Sequence, residues 1–194
     1  MTKRTKVFFD TEFTGLHQQT TLISIGMIAE TGHTFYAELT DFDKDQINDW
    51  IQEFVINNLL LQDKEPDHIK GIKDEQGWSM ECKGDSAFVS GQLKDWLSQF
   101  EQVEMWSDCL AFDWVLFINL YGNAFQLPGN VYYIPFDLST YFKIRGIDAD
   151  ISRKDFCDAH LHVGAPGYKK HNSLYDAIII KTCYDKLKST IPPA

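Results

Sequence analysis

Between Lys6 and Leu39 short apolar runs alternate with turn residues, and this pattern restricts the possible folds more than any other part of the chain. Lys6-Val7-Phe8-Phe9-Asp10 is a brief apolar run closed by an acid, and Thr21–Glu30 (TLISIGMIAE) is a longer run rich in β-branched residues. Both have the length and composition of strands. Thr31-Gly32 is a tight-turn signal, and His33–Leu39 (HTFYAEL) follows with alternating character. The second and third strands are therefore predicted to form an antiparallel hairpin beside the first.

The period then changes. Ile47, Trp50, Ile51, Phe54, Val55 and Leu59 recur at three-to-four spacing, which predicts an amphipathic helix over 44–61. Residues 62–84, with Pro66, Gly71, Gly77, Gly84 and many charges, read as a long surface loop. Asp85-Ser86 caps a helix running to Phe100, and a buried strand follows over Val103–Ser107. A helix from Leu110 to about Tyr121, a last strand over Val131–Ile134, a helix starting at Asp137-Leu138-Ser139, a short one over Asp155–Leu161 and a long one over Ser173–Leu187 complete the pattern. A strand meander followed by alternating helices and strands makes an α/β layer structure. The expected sheet is mixed and five-stranded, an antiparallel meander plus parallel strands, flanked by helices. No repeat or linker divides it, so residues 1–194 are expected to form a single domain.

Composition excludes several classes. With 44% hydrophobic and 24% charged residues the chain is neither disordered nor fibrous. No apolar run approaches the roughly 20 residues that span a bilayer, and the start of the chain lacks the apolar core of a signal peptide, so a cytoplasmic address and no membrane partner are expected. Cys82, Cys109, Cys157 and Cys183 are widely spaced, without a C-x-x-C pair, and are expected to be reduced thiols. A net charge of −10 argues against a long non-specific nucleic-acid track. The basic groups favour the last quarter, where Lys143, Arg145, Arg153, Lys154, Lys169 and Lys170 suggest either a positive rim or ordinary solvated surface.

Two D-x-E patterns occur, and only one has a telling context. Asp63 and Glu65 lie in the polar loop and read as solvated charges. Asp10 and Glu12 close the first strand, where the two-residue period turns both carboxylates to one side at the edge of a buried core. Held that close, they repel unless a cation joins them. A hard divalent ion such as magnesium, which takes a few carboxylates together with water and phosphate, meets that need, with a pair of structural carboxylates as the plain alternative. Further acids stand at Asp113, early in a predicted helix, and at Asp176, in the turn opened by His171.

Taken together, these segments resemble the DEDDh 3'-5' exonucleases of the RNase H-like superfamily, which include the proofreading subunit of DNA polymerase, RNase T and oligoribonuclease. Phe8–Leu16 (FFDTEFTGL) is similar to the first exonuclease motif, Leu110–Phe117 (LAFDWVLF) to the second, and His171–Ala177 (HNSLYDA) to the third. The short length, the meander and the acidic middle are similar to the compact bacterial exoribonucleases of the RNase AS type. The resemblance implies that Asp10, Glu12, Asp113 and Asp176 bind two divalent ions, Mg2+ or Mn2+, with His171 as general base. A tyrosine-type relative would carry Tyr where Asn172 stands. Ser107-Asp108-Cys109 departs from the family's usual His-Asn and leaves Asp108 as a rival ligand to Asp113. The resemblance also implies that Phe13, Thr14, Gly15 and Leu16 hold the terminal nucleotide, against core packing as the plain alternative for Phe13 and Leu16, and that the protein is a homodimer.

The expected activity is therefore 3'-to-5' hydrolysis of single-stranded or short RNA to nucleoside 5'-monophosphates. Single-stranded DNA as substrate, or an idle nucleic-acid-binding module, are the alternatives. Asp41–Asp45 imitates a calcium loop but has Gln46 where glycine is required. His160-Leu161-His162 lacks partners at zinc spacing. Trp50, Trp96, Trp106 and Trp114 are expected in the core, and Trp78, in the long loop, is a possible substrate or subunit contact.

Overall fold

In the computed structural model, which describes residues 4–75, 77–157 and 171–189, a seven-stranded sheet is the central layer. Its strands are β1 (Thr5–Phe13), β2 (Leu22–Ala29), β3 (Thr34–Leu39), β4 (His68–Lys73), β5 (Trp78–Gly84), β6 (Val103–Ser107) and β7 (Phe136–Asp137). They lie in the order β4-β5-β3-β2-β1-β6-β7. The predicted meander is present: β1 pairs antiparallel with β2, and β2 with β3, while β6 joins β1 in parallel.

The strand count corrects the expected five. The stretch read as a loop over 62–84 holds the β4–β5 hairpin, with β5 parallel to β3. In β5 Met80, Cys82 and Gly84 face inward while Ser79, Glu81 and Lys83 alternate with them, so the charges that suggested a loop belong to the outer face of a strand. Edge strand β4 is mostly exposed, which suits its Lys70 and Lys73. Trp78 belongs to β5 and packs on the core rather than standing in a loop. Val131–Ile134 is not a strand: Val131 makes one bridge to Val103, and the last strand is the two-residue β7.

Helix α2 (Ser86–Leu97) is capped by Asp85, whose side chain accepts from Phe88 N, as its sequence predicts. It buries Val89, Leu93, Trp96 and Leu97. The helix expected over 44–61 is broken into 3-10 turns at Lys44–Gln46 and Ile56–Asn58 around the short α1 (Asp49–Phe54). Only Ile51 and Val55 of that stripe are deeply buried, against Ile23. Helix α3 (Leu110–Leu120) follows β6, α4 (Leu138–Ile144) is capped by Asp137, α5 is the turn Arg153–Phe156, and α6 (Ser173–Ser189) closes the described chain. Of the helix expected over Asp155–Leu161, the part beyond Cys157 lies outside the described residues, as do His160, His162, Lys169 and Lys170.

Two cores sandwich β1. Val7 and Phe9 belong to the larger one, shared with α2 and α3, whereas Phe8 packs with Ile179, Ile180 and Cys183 of α6. Odd residues of β1 therefore face α3 and even residues face α6. This parity carries Asp10 and Glu12 to the side on which the chain later returns.

Candidate active site

The chain ends of two neighbouring parallel strands define the site. β1 delivers Asp10 and Glu12, β6 delivers Ser107 and then Asp108, and the crevice lies beyond the carboxyl ends of these strands, where open α/β sheets commonly bind ligands. A register shift between Glu12 and Phe13 interrupts the pairing with β2. Irregularities of this kind bend a strand locally and are common beside functional sites. α3 brings Asp113 in its first turn, where the helix dipole favours a carboxylate. α6 brings Asp176 in its own first turn, with His171 just ahead of it.

The result is a cleft of about 520 Å3 lined by Asp10, Glu12, Asp108, His171 and Asp176, with apolar walls from Phe13, Leu16, Trp50, Ile51 and Ile179. Its size suits a nucleotide-sized ligand. Ligand atoms of Glu12, His171 and Asp176 lie within 4.8 Å of one another, and so do those of Asp10, Asp108 and Asp113. The four acids and the histidine singled out in sequence are thus brought together, and Asp108 joins them. Asp108 and Asp113 stand in the same trio rather than one replacing the other.

Their surroundings differ. Asp113 is 2% exposed and accepts from Thr11 Oγ1 at 2.5 Å and from the Ser107 hydroxyl. Thr11 is an odd residue of β1 and so faces α3. Asp108 is ion-paired with Arg153, Nε to Oδ2 at 3.0 Å. Arg153 also donates to Ala149 O, Ile151 O and Ser139 Oγ, and its guanidinium lies 4.9 Å from the Phe142 ring centre. It is therefore an internal counter-ion, not part of a solvated basic rim. Of the other rim candidates in the described chain, Lys143, Arg145 and Lys154 are exposed.

Electrostatically the cluster is uncomfortable without a cation. Burial, then repulsion from Asp113, Asp176 and Glu12, raises the Asp10 pKa well above the usual carboxylate range. Burial followed by Asp176 and Asp113 does the same to Glu12. Burial pushes Asp113 up to about 7 even though the Ser107 and Thr11 hydroxyls pull it down, and burial raises Asp108 against the opposing Arg153. Among the described residues no Lys or Arg lines the cleft. A donor set of five carboxylates beside one imidazole fits hard divalent cations.

His171 adopts a left-handed backbone, φ 62°, and its N–H donates to Asp176 Oδ2 at 2.9 Å. Its ring meets the edges of Trp50 at 5.0 Å and Phe54 at 6.4 Å between centroids. Trp50, expected in the core, is 51% exposed on the cleft wall. The three-to-four spacing that signals a buried face is the same whether the apolar stripe meets a core or a cavity. Asn48, which caps α1, also lines the cleft and carried no sequence signal. Leu16 projects at the mouth, 77% exposed, and Gly15 lies beside it. Phe13 stacks on Phe112 at 5.3 Å while one side meets the cleft. Thr14 points inward, bonded to Gln46 and Thr21, and is not among the lining residues.

Residues 5–187 match the family model described as the 3'-5' exoribonuclease Rv2179c-like domain. Two curated relatives are similar to this chain: 3'-5' exoribonuclease Rv2179c of Mycobacterium tuberculosis strain H37Rv and 3'-5' exoribonuclease MT2234.1 of strain CDC 1551. Each is 27% identical over 143 residues, covering 73% of this chain and 76% of the relative.

Proposed function

Because this chain belongs to the family of Rv2179c-like 3'-5' exoribonuclease domains, we propose that it is a metal-dependent exonuclease of the DEDDh, RNase H-like type. It removes nucleotides from the 3' end of single-stranded RNA and releases nucleoside 5'-monophosphates. One observation carries this reading: two trios of ligand atoms stand side by side at one cleft that, among the described residues, no Lys or Arg lines. A phosphodiester would be repelled by such a site unless cations offset its carboxylates.

Asp10, Glu12, Asp113 and Asp176 are the residues that would hold two magnesium or manganese ions, with Asp108 beside them. Ions there would neutralise the non-bridging phosphate oxygens, acidify a water and stabilise the departing 3' oxygen. The imidazole of His171, whose ring nitrogen lies within ligand-atom reach of Glu12 and Asp176, takes the proton of the attacking water. The water oxygen bonds to the last phosphorus as the bond from that phosphorus to the 3' oxygen breaks, and the 3' oxygen takes up a proton from solvent, so the shortened strand leaves with a 3' hydroxyl. Trp50 and Leu16 supply apolar surfaces for the terminal bases, as stacking platforms for single strands do. Phe13 and Gly15 complete that wall.

A homodimer in the cytoplasm completes the proposal. Its support is the four free cysteines and the open edge of β4, where Ile69 and Ile72 are 49% and 64% exposed. No helix among the described residues is long and apolar enough to cross a membrane.

The test is a time course on matched RNA and DNA oligonucleotides with free or phosphorylated 3' ends, with Mg2+, Mn2+ or EDTA. Stepwise shortening of the free-ended RNA, with release of 5'-monophosphates and no reaction in EDTA, is expected. Cleavage of a circular RNA, or full activity in EDTA, refutes the reading.

A further inference from the structure

Next to His171 stands a buried asparagine that the reaction does not touch. Asn172 is 1% exposed. Its Oδ1 accepts from Tyr175 N at 3.2 Å, and its Nδ2 donates to Asn58 O at 3.0 Å and Tyr36 OH at 3.4 Å. The oxygen half serves as a helix cap. The nitrogen half binds across the fold, to a carbonyl 114 residues earlier in the chain.

Asn58 makes a fixed anchor. Glu38, 2% exposed on β3, accepts from Leu61 N at 2.7 Å and from Tyr36 OH at 2.8 Å, and Tyr36 OH accepts from Leu60 N at 3.3 Å. Lys83 Nζ adds bonds to Leu61 O at 2.8 Å and Lys64 O at 2.7 Å. Residues 60–64, which begin two positions after Asn58, are thereby fastened to β3 and β5. A satisfied network of this kind specifies one arrangement, since each broken member leaves a buried polar group unpaired.

The same segment, a few residues earlier, carries Trp50 and Phe54, whose rings flank the His171 imidazole. His171 is thus held twice by one piece of chain: its ring by α1, and its left-handed turn by the Asn58 carbonyl through Asn172. Resting on the reading of His171 as the base, we propose that Asn172 is a positioning residue for end trimming. Its side-chain amide locks the His171 turn to the segment that packs on the imidazole.

Asn172→Ser separates the two halves of the amide, keeping a cap acceptor and deleting the donor to Asn58. The expected result is kcat lower by about 10- to 100-fold, the range that small misplacement of a reacting group produces. KM stays within about twofold, because Asn172 is buried and does not line the cleft. Asn172→Asp keeps the side-chain volume and the cap while losing the donor, and serves if the serine variant does not fold. In parallel, the His171 imidazole resonances of the isotope-labelled protein shift and broaden in the variant. Unmoved resonances, an unchanged kcat, or a change confined to KM overturns the proposal. A wild-type chain that fails to trim RNA while the resonances still respond sinks the base assignment and not the clamp.

Discussion

Gly26 and Leu174 pack backbone against backbone: a Cβ on Gly26 would fall inside the van der Waals envelope of the Leu174 nitrogen and of the Ser173 carbonyl carbon. Gly26 is the register partner of Asp10, and Ser24, the partner of Glu12, bonds its hydroxyl to Ser173 at 3.0 Å. The start of α6 is thus seated on the strand next to the two motif acids. Gly26→Ala is expected to cost about 1–3 kcal/mol of stability, as overpacking does, or about 2–4 °C of melting temperature per kcal/mol. It should also cut trimming activity by displacing His171 and Asp176. Gly91→Ala, on the open face of α2, should instead stabilise by about 0.4–1 kcal/mol with activity intact. Melting curves and initial rates of the two variants side by side make the check.

His171→Ala is expected to lower kcat by about 10²- to 10⁴-fold, the usual worth of a general base. The ring is half-buried and belongs to no core, so melting should barely change. Asp10→Asn should abolish trimming and raise the melting temperature in EDTA, because it removes one of several mutually repelling carboxylates. An unchanged rate in either variant would remove that residue from the site.

Stability without ions should depend on pH in an unusual direction. Asp10, Glu12 and Asp113 have folded-state pKa values above those of the unfolded chain. A carboxyl raised in this way binds its proton more tightly when folded, so its contribution is present below the unfolded value, about 4, and is lost as pH rises through the folded one. For Asp113 that window extends to about 7. In EDTA the melting temperature should therefore fall between pH 5 and pH 7.5, and Mg2+ should restore it at the upper end. A melting temperature indifferent to Mg2+ at pH 7.5 would count against cation binding by these acids.

Leu16→Ser should raise KM for RNA while leaving melting unchanged, since a side chain 77% exposed contributes little to the fold. Trp50→Ala should raise KM and lower kcat together, because its ring also meets His171. Loss of a base-stacking surface is worth about 1–3 kcal/mol, roughly 5- to 150-fold in binding. Steady-state kinetics on a short RNA separates the two effects.

What could be read in advance follows from which signals are local. Asp10 and Glu12 were legible because the two-residue strand period alone puts them on one side, and the Asp85 and Asp137 caps because each bonds within three residues. The hairpin of β4 and β5 is hidden in the sequence because a strand with one wet face shares its charges with a loop, and Gly71 and Gly77 are residues that loops favour. That Asp108 stands beside Asp113 instead of replacing it, that Trp50 faces the cleft and that Arg153 pairs with Asp108 all depend on tertiary distance. Nothing between residues 108 and 153 announces an ion pair, and an apolar stripe does not say whether a core or a cavity faces it.

The third motif arrives some 160 residues after the first, and it reaches the cleft only when α6 has docked on β1, β2 and β3. Any partly folded molecule lacking that docking has neither the His171 imidazole nor the Asp176 carboxylate at the cleft, whatever else it has formed. If His171 and Asp176 have the roles proposed for them, turnover counts finished molecules, and specific activity during refolding should track docking of α6.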